Sequence, residues 1–170
     1  MKTDASMSVA NMIVGLSMLT AAVFYSELAA AQTANDLVGT WQHVANVNIS
    51  ADGKRTDTFG ANPAGMAIFS SDGHFMVINL RREIPKFASN SRAQGTPEEN
   101  KAVVQGSIAL YGTYSVADKV ITMKIDDSTF PNWRGTKQTR DIVSFNRDEI
   151  TWRLSASIGG QAEVTWKRIK

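Results

Sequence analysis

From Leu37 onward the chain alternates with a period of two. Trp41, His43, Ala45 and Val47 fall on one side, and Gln42, Val44, Asn46 and Asn48 on the other. That is the rhythm of a half-buried β-strand. Runs of the same kind are expected at 37–44, 66–70, 75–82, 112–116, 120–125, 136–145, 149–156 and 162–169. Turn signals separate them: Ala51-Asp52-Gly53-Lys54, Asp72-Gly73, Ala117-Asp118, Asn146-Arg147-Asp148 and Gly159-Gly160. The Gly-, Pro- and Asn-rich stretch 57–65 and the stretch 128–135 read as longer loops. Short strands with hairpin-length turns predict an all-β fold, an eight-stranded up-and-down antiparallel barrel whose closure leaves no exposed edges.

Within the hairpin 66–82, Asp72-Gly73 as a two-residue turn pairs Phe69 with Met76 and Ala67 with Ile78. These residues and Leu80 make one wholly apolar face, assigned to the interior. Ile68, Val77, Asn79 and Arg81 are then expected on the outside. One helix interrupts the strands. Thr96-Pro97-Glu98-Glu99 sets Thr at the N-cap, Pro in the first turn and Glu at the reciprocal capping position. The helix is expected near 97–108, as a lid on one barrel mouth.

The N-terminus follows another pattern. Residues 12–25 form an apolar block behind Lys2, shorter than the roughly 20 residues a spanning helix needs. Ala29-Ala30-Ala31 then offers a small-residue cleavage site before Gln32. Residues 1–31 are therefore expected to be a signal peptide and 32–170 the barrel domain, with a periplasmic or secreted address and no membrane span after cleavage.

Composition changes the picture mainly by exclusion. The 18 basic and 16 acidic residues are interspersed, which leaves no nucleic-acid footprint. There is no cysteine, so disulfides and thiolate chemistry are absent. No hydrolase, zinc-protease or phosphate-loop motif occurs. The two histidines, His43 and His74, lack a neighbouring carboxylate pattern and make a poor metal site. No cofactor is expected.

Period two carries Arg140 inward with Gln138 and Ile142. An arginine inside a barrel must be paired, solvated or matched to a ligand anion, since a lone buried charge is very costly. The apolar set Phe69, Met76, Ile78, Met123, Ile125 and Trp152 is expected to line a cavity. Tyr114, Arg140 and His43 are its polar contacts, with Trp133 at the mouth. Trp41 and Arg168 fall on inward faces of the first and last strands, which must pair if eight strands close.

Several stretches taken together resemble the bacterial and fungal lipocalin-like domain family: Leu37-Val38-Gly39-Thr40-Trp41, Phe59-Gly60-Ala61-Asn62-Pro63-Ala64-Gly65 and Ser71-Asp72-Gly73-His74. Further along come Tyr111-Gly112-Thr113-Tyr114, Phe130-Pro131-Asn132-Trp133-Arg134-Gly135, Gln138-Thr139-Arg140 and Trp166-Lys167-Arg168. The resemblance implies a calycin-type barrel with an internal cavity and carries no general activity; its Gly39-Thr40-Trp41 opening and late Arg168 imply that the guanidinium lies on the indole face and closes one barrel end by a cation–π contact. Relatives often hold a histidine where this chain has Met123-Lys124-Ile125, so a histidine-dependent role at that strand is not expected here.

The reading is a periplasmic or secreted protein, its oligomeric state open with a monomer favoured, that binds a small apolar or amphipathic molecule with a polar or anionic end. The same cavity would serve an isomerase or cyclase, and a filled barrel would serve as an envelope or interaction module. Whether the chain is an enzyme stays open, with the balance toward binding.

Overall fold

The structure, a computed structural model, describes residues 33–170; the expected signal peptide lies outside the described residues. The chain opens with a short helix α1 (Ala34–Leu37), followed by β1 (Gly39–Ile49), β2 (Arg55–Asp57), β3 (Ala64–Phe69) and β4 (His74–Leu80). Next come helix α2 (Pro97–Gly106), β5 (Ser107–Ala117), β6 (Val120–Ser128), β7 (Lys137–Phe145), β8 (Glu149–Ser155) and β9 (Gln161–Arg168). Each strand from β3 on pairs antiparallel with the next, and β1 closes the ring by pairing with both β3 and β9.

The ninth strand does not add a stave. β2 meets β1 at Val47–Ile49, on the edge that β3 meets at Gly39–Gln42. β2 and β3 are thus one stave interrupted by the loop around Phe59, and the barrel is a closed eight-stave up-and-down sheet.

The hairpin between β3 and β4 differs from the two-residue reading. Ser70 N–H donates to the His74 carbonyl at 2.9 Å, and Gly73 N–H donates to the Ser70 carbonyl at 3.2 Å. Gly73 has φ +86°, so the loop is a three-residue turn with its last residue left-handed. The Ser70 hydroxyl donates to the Asp72 carboxylate and braces it. The register is therefore Phe69↔Phe75, Ile68↔Met76, Ala67↔Val77 and Met66↔Ile78. A one-residue slip exchanges the faces of a strand. Phe75, Val77 and Asn79 point inward, whereas Met76 is 55% exposed and Ile78 and Leu80 lie on the outer face.

Two further elements depart from expectation. Leu37 belongs to α1 rather than to the first strand, and it is fully buried as a plug under the barrel. β1 also carries a bulge between His43 and Ala45, which advances the alternation so that Asn46, not Ala45, is buried beyond it.

The interior has two levels. The level nearest α1 is solid, with Trp41, Phe69, Phe75, Tyr114, Ile121 and Ile150 in contact across the barrel. Tyr114 donates from its hydroxyl to the Ser70 carbonyl at 3.0 Å and is 3.3 Å from that of Ala34. The far level is the open one. Helix α2 stands at its rim, capped by Thr96 and Glu99 as the sequence indicates, with Gly106 its one buried residue.

Candidate functional site

The open level encloses a cavity of about 80 Å³. Its wall is mostly apolar and aromatic: Phe59, Met123, Trp133, Trp152, Leu154 and Trp166 are among its residues. One cation breaks that character. Arg140 is 4% exposed, and its guanidinium donates only to the Thr139 carbonyl at 2.9 Å and the Gln138 side-chain oxygen at 2.8 Å. No carboxylate among the described residues pairs with it. Burial holds its pKa down to about 10, so the group stays cationic at neutral pH but is poorly solvated there.

The backbone around Arg140 explains how it can be reached. β7 and β8 pair from Phe145↔Ile150 to Asp141↔Arg153 and then part. Residues 137–140 keep their pairing with β6 but present a free edge toward β8. A cleft of about 440 Å³ fills this gap, and Trp133, Arg140 and Leu154 line both it and the internal cavity. Arg140 thus stands at the junction between a side opening and the interior.

Opposite Arg140 runs a row of polar side chains. Trp166 on β9 pairs with His43 on β1. The next stave carries Gly65, which pairs with Asn79 on β4. A side chain at Gly65 would collide with the Ile78 carbonyl oxygen and sit 3.2 Å from His43 Cβ, so the glycine lets His43 and Asn79 approach across it. His43 is 1% exposed; it stacks on Trp166 at 4.8 Å between ring centres and meets Phe59 edge-on at 5.8 Å. Its Nδ1 lies 3.3 Å from the Ala64 carbonyl. Burial pushes its pKa below the ordinary histidine value, so the ring is neutral.

Of the residues that the sequence brings forward, Met123, Trp133, Arg140 and Trp152 line this cavity. His43 is buried immediately behind Trp166. Ile125 is buried without lining it. Phe69 packs in the solid level, 4.9 Å from Tyr114 and 6.2 Å from Trp152. Tyr114 is held at the same closed end, so it does not stand beside Arg140. Met76 and Ile78 face away from the interior altogether, because of the hairpin register. Asn46, Thr58, Asn79 and Trp166 also line the cavity; alternation alone sets Asn46 and Asn79 on the outer face, and Trp166 enters the sequence reading only within the stretch Trp166-Lys167-Arg168. Trp41 and Arg168 are cross-strand partners, with the guanidinium carbon 4.0 Å from the centre of the Trp41 ring.

Among the described residues no cluster of His, Asp or Glu is arranged to hold a metal ion, and no helix is long and apolar enough to cross a membrane.

The sequence model of a family described as a lipocalin-like domain matches residues 38–169. Among curated proteins none matches. Among solved structures, a redesigned beta barrel is similar at 17% identity and TM-score 0.43, over 83% of this chain and 98% of that one. A second redesigned beta barrel, bound to DFHBI, is similar at 20% identity and TM-score 0.39, over 79% of this chain and 97% of that one. A de novo designed fluorescence-activating beta barrel is similar at 14% identity and TM-score 0.40, over 80% of this chain and 96% of that one.

Proposed function

Because the chain belongs to the lipocalin-like domain family, matched from residue 38 to residue 169, we propose that it binds a small, largely apolar molecule with an anionic end. The observation that carries this reading is Arg140, a buried cation with no carboxylate partner among the described residues, on the wall of an apolar cavity. A barrel that needed only a filled interior would gain nothing from it. Hydrophobic residues of similar volume commonly replace buried charges without loss of stability. A planar guanidinium is suited to gripping a carboxylate through two parallel hydrogen bonds. The cavity of about 80 Å³ exceeds the ~10–15 Å³ that a single water occupies on a comparable measure. It suits a short chain or a single ring rather than a long lipid.

The test compares charge at constant shape. Short alkyl and aryl carboxylates are titrated against their methyl esters, with intrinsic tryptophan fluorescence as the signal, since Trp133, Trp152 and Trp166 line the site. The acids should bind more tightly than the esters. Equal affinities would overturn the anionic anchor.

The same reading includes export. The apolar block and the Ala29-Ala30-Ala31 site in the sequence support removal of residues 1–31 and a periplasmic or secreted address. Intact mass of the purified protein checks it: a chain beginning at Gln32 agrees, and one retaining residues 1–31 does not.

A further inference from the structure

Five buried side-chain polar atoms have no protein hydrogen-bond partner among the described residues: His43 Nε2, Thr58 Oγ1, Asn79 Oδ1, Arg153 Nε and Trp166 Nε1. Native proteins leave few such atoms unmatched, and each asks for a reason. Four of the five belong to residues on the cavity wall or stacked against it. Trp166, His43 and Asn79 belong to the row that runs across staves β9, β1, β3 and β4 through Gly65. Thr58 begins the loop that fills the break between β2 and β3. Trp166, Asn79 and Thr58 line the cavity, and His43 stacks directly on Trp166.

Their hydrogen-bonding characters are fixed. Trp166 Nε1–H can only donate, and Asn79 Oδ1 can only accept. A carbonyl oxygen can only accept, so the 3.3 Å contact with Ala64 places the His43 proton on Nδ1 and leaves Nε2 an acceptor. The Thr58 hydroxyl can do either. The row therefore offers a donor beside acceptors, which complements a group that is itself both, such as a hydroxyl. It carries no net charge, in contrast to Arg140. In the ring of eight staves, β7, which bears Arg140, lies across from β3, one of the two middle staves of the row. Between them the lining aromatics Phe59, Trp133, Trp152 and Trp166 favour a flat ring.

Building on the anionic-anchor reading above, we infer that the row is a second, neutral subsite, and that the ligand is a small aromatic acid. Its carboxylate meets Arg140, and a hydroxyl at the opposite end meets Trp166 Nε1, Asn79 Oδ1 and Thr58 Oγ1. Specificity at such a subsite comes from what a wrong ligand leaves unpaired: an analogue lacking the hydroxyl strands buried polar groups without partners.

Matched pairs of probes test this. In the full chain, 4-hydroxybenzoate, 4-hydroxyphenylacetate and 3-(4-hydroxyphenyl)propionate are titrated beside the same acids without the hydroxyl. For the acid whose length fits, the hydroxyl should tighten binding tenfold or more. Asn79→Leu and Trp166→Phe should each bring that ratio below threefold. Arg140→Met should weaken both members of the pair and preserve their ratio. A ratio near one for every pair, with Arg140→Met still weakening both acids, overturns the subsite and leaves the anionic anchor standing. Failure of every acid to bind the parent overturns both. The parent ratio is decisive by itself, so the test survives if a variant does not fold.

Discussion

The Arg168 guanidinium covers the Trp41 ring at 4.0 Å, joining the first and last staves of the barrel. The contact is more than a cation–π pair. The same group donates to the carbonyls of Asp36 at 2.6 Å, Val38 at 2.7 Å and Arg147 at 2.8 Å. Trp41 in turn donates from its indole N–H to the Leu37 carbonyl at 2.8 Å. Helix α1 is thereby tied beneath the solid level of the interior, and its last four-residue turn has partners for its carbonyls.

Trp41→Ala should destabilise the protein by about 3–5 kcal/mol, the range for deleting a large buried aromatic. Arg168→Ala should cost about 1.5–3 kcal/mol, as expected when hydrogen bonds to a charged group are lost. Urea unfolding followed by tryptophan fluorescence reads both. A Trp41→Ala midpoint equal to that of the parent would contradict closure at this end.

The hairpin register gives a second expectation. Met76 is 55% exposed while its neighbour Val77 is 4% exposed. Met76→Lys should change stability by no more than about 0.5 kcal/mol, like other surface substitutions. Val77→Lys should prevent folding or destabilise severely by burying an unpaired charge. The reverse order in denaturant melts would restore the two-residue turn.

These two cases show what a sequence displays and what it hides. The inward directions of Trp41, Arg168 and Arg140 follow from period two along stretches that no bulge interrupts, and the closing contact of Trp41 with Arg168 from the family resemblance. The fold is legible for the same reason: the staves are short, and the turns between them are marked by Gly, Asp and Asn. Phase is the fragile part. Asp72-Gly73 is compatible with turns of two or three residues, and the choice moved Met76 and Ile78 out and brought Val77 and Asn79 in. The bulge after His43 likewise brought Asn46 inside, and a bulge leaves no hydrophobic signal. Tyr114 faces inward, but alternation does not say at which level of a barrel a residue stands.

Histidine 43 supplies a prediction in pH. Burial lowers its pKa below 6.5, so the unfolded chain binds the proton more readily than the folded one. Stability linked to this group is complete above about pH 6.5 and falls as pH drops toward the folded-state value, by at most about 1.4 kcal/mol per pH unit. The carboxylates whose pKa is lowered, such as Asp127 and Glu163, lose their contribution only below about pH 4.5. Between pH 6.5 and 5 the parent should therefore lose stability, and His43→Phe should show a flatter profile. Parallel profiles for the two proteins would contradict a neutral, buried imidazole.

Position 65 offers a test of the polar row as architecture. Gly65→Ala should destabilise by more than the ~0.5–1 kcal/mol typical of backbone effects at glycine, because the new Cβ meets the Ile78 carbonyl. Gly53→Ala is a useful control, since nothing stands within 4 Å of its Cβ although φ is similarly left-handed at +82°. Equal losses at the two positions, read by thermal unfolding, would mean that crowding between His43 and Asn79 is not what selects glycine.

The proposed role of Arg140 is to serve a ligand rather than the fold. Arg140→Met, made in the full chain, separates the two by measuring unfolding free energy and carboxylate binding on the same preparation. Stability should equal or exceed that of the parent, since a desolvated cation is replaced by an apolar side chain of similar length. Binding of short aryl and alkyl carboxylates should weaken by about 1.5–3 kcal/mol. A variant that binds these acids as tightly as the parent, or one that loses stability while binding is unchanged, would contradict that role.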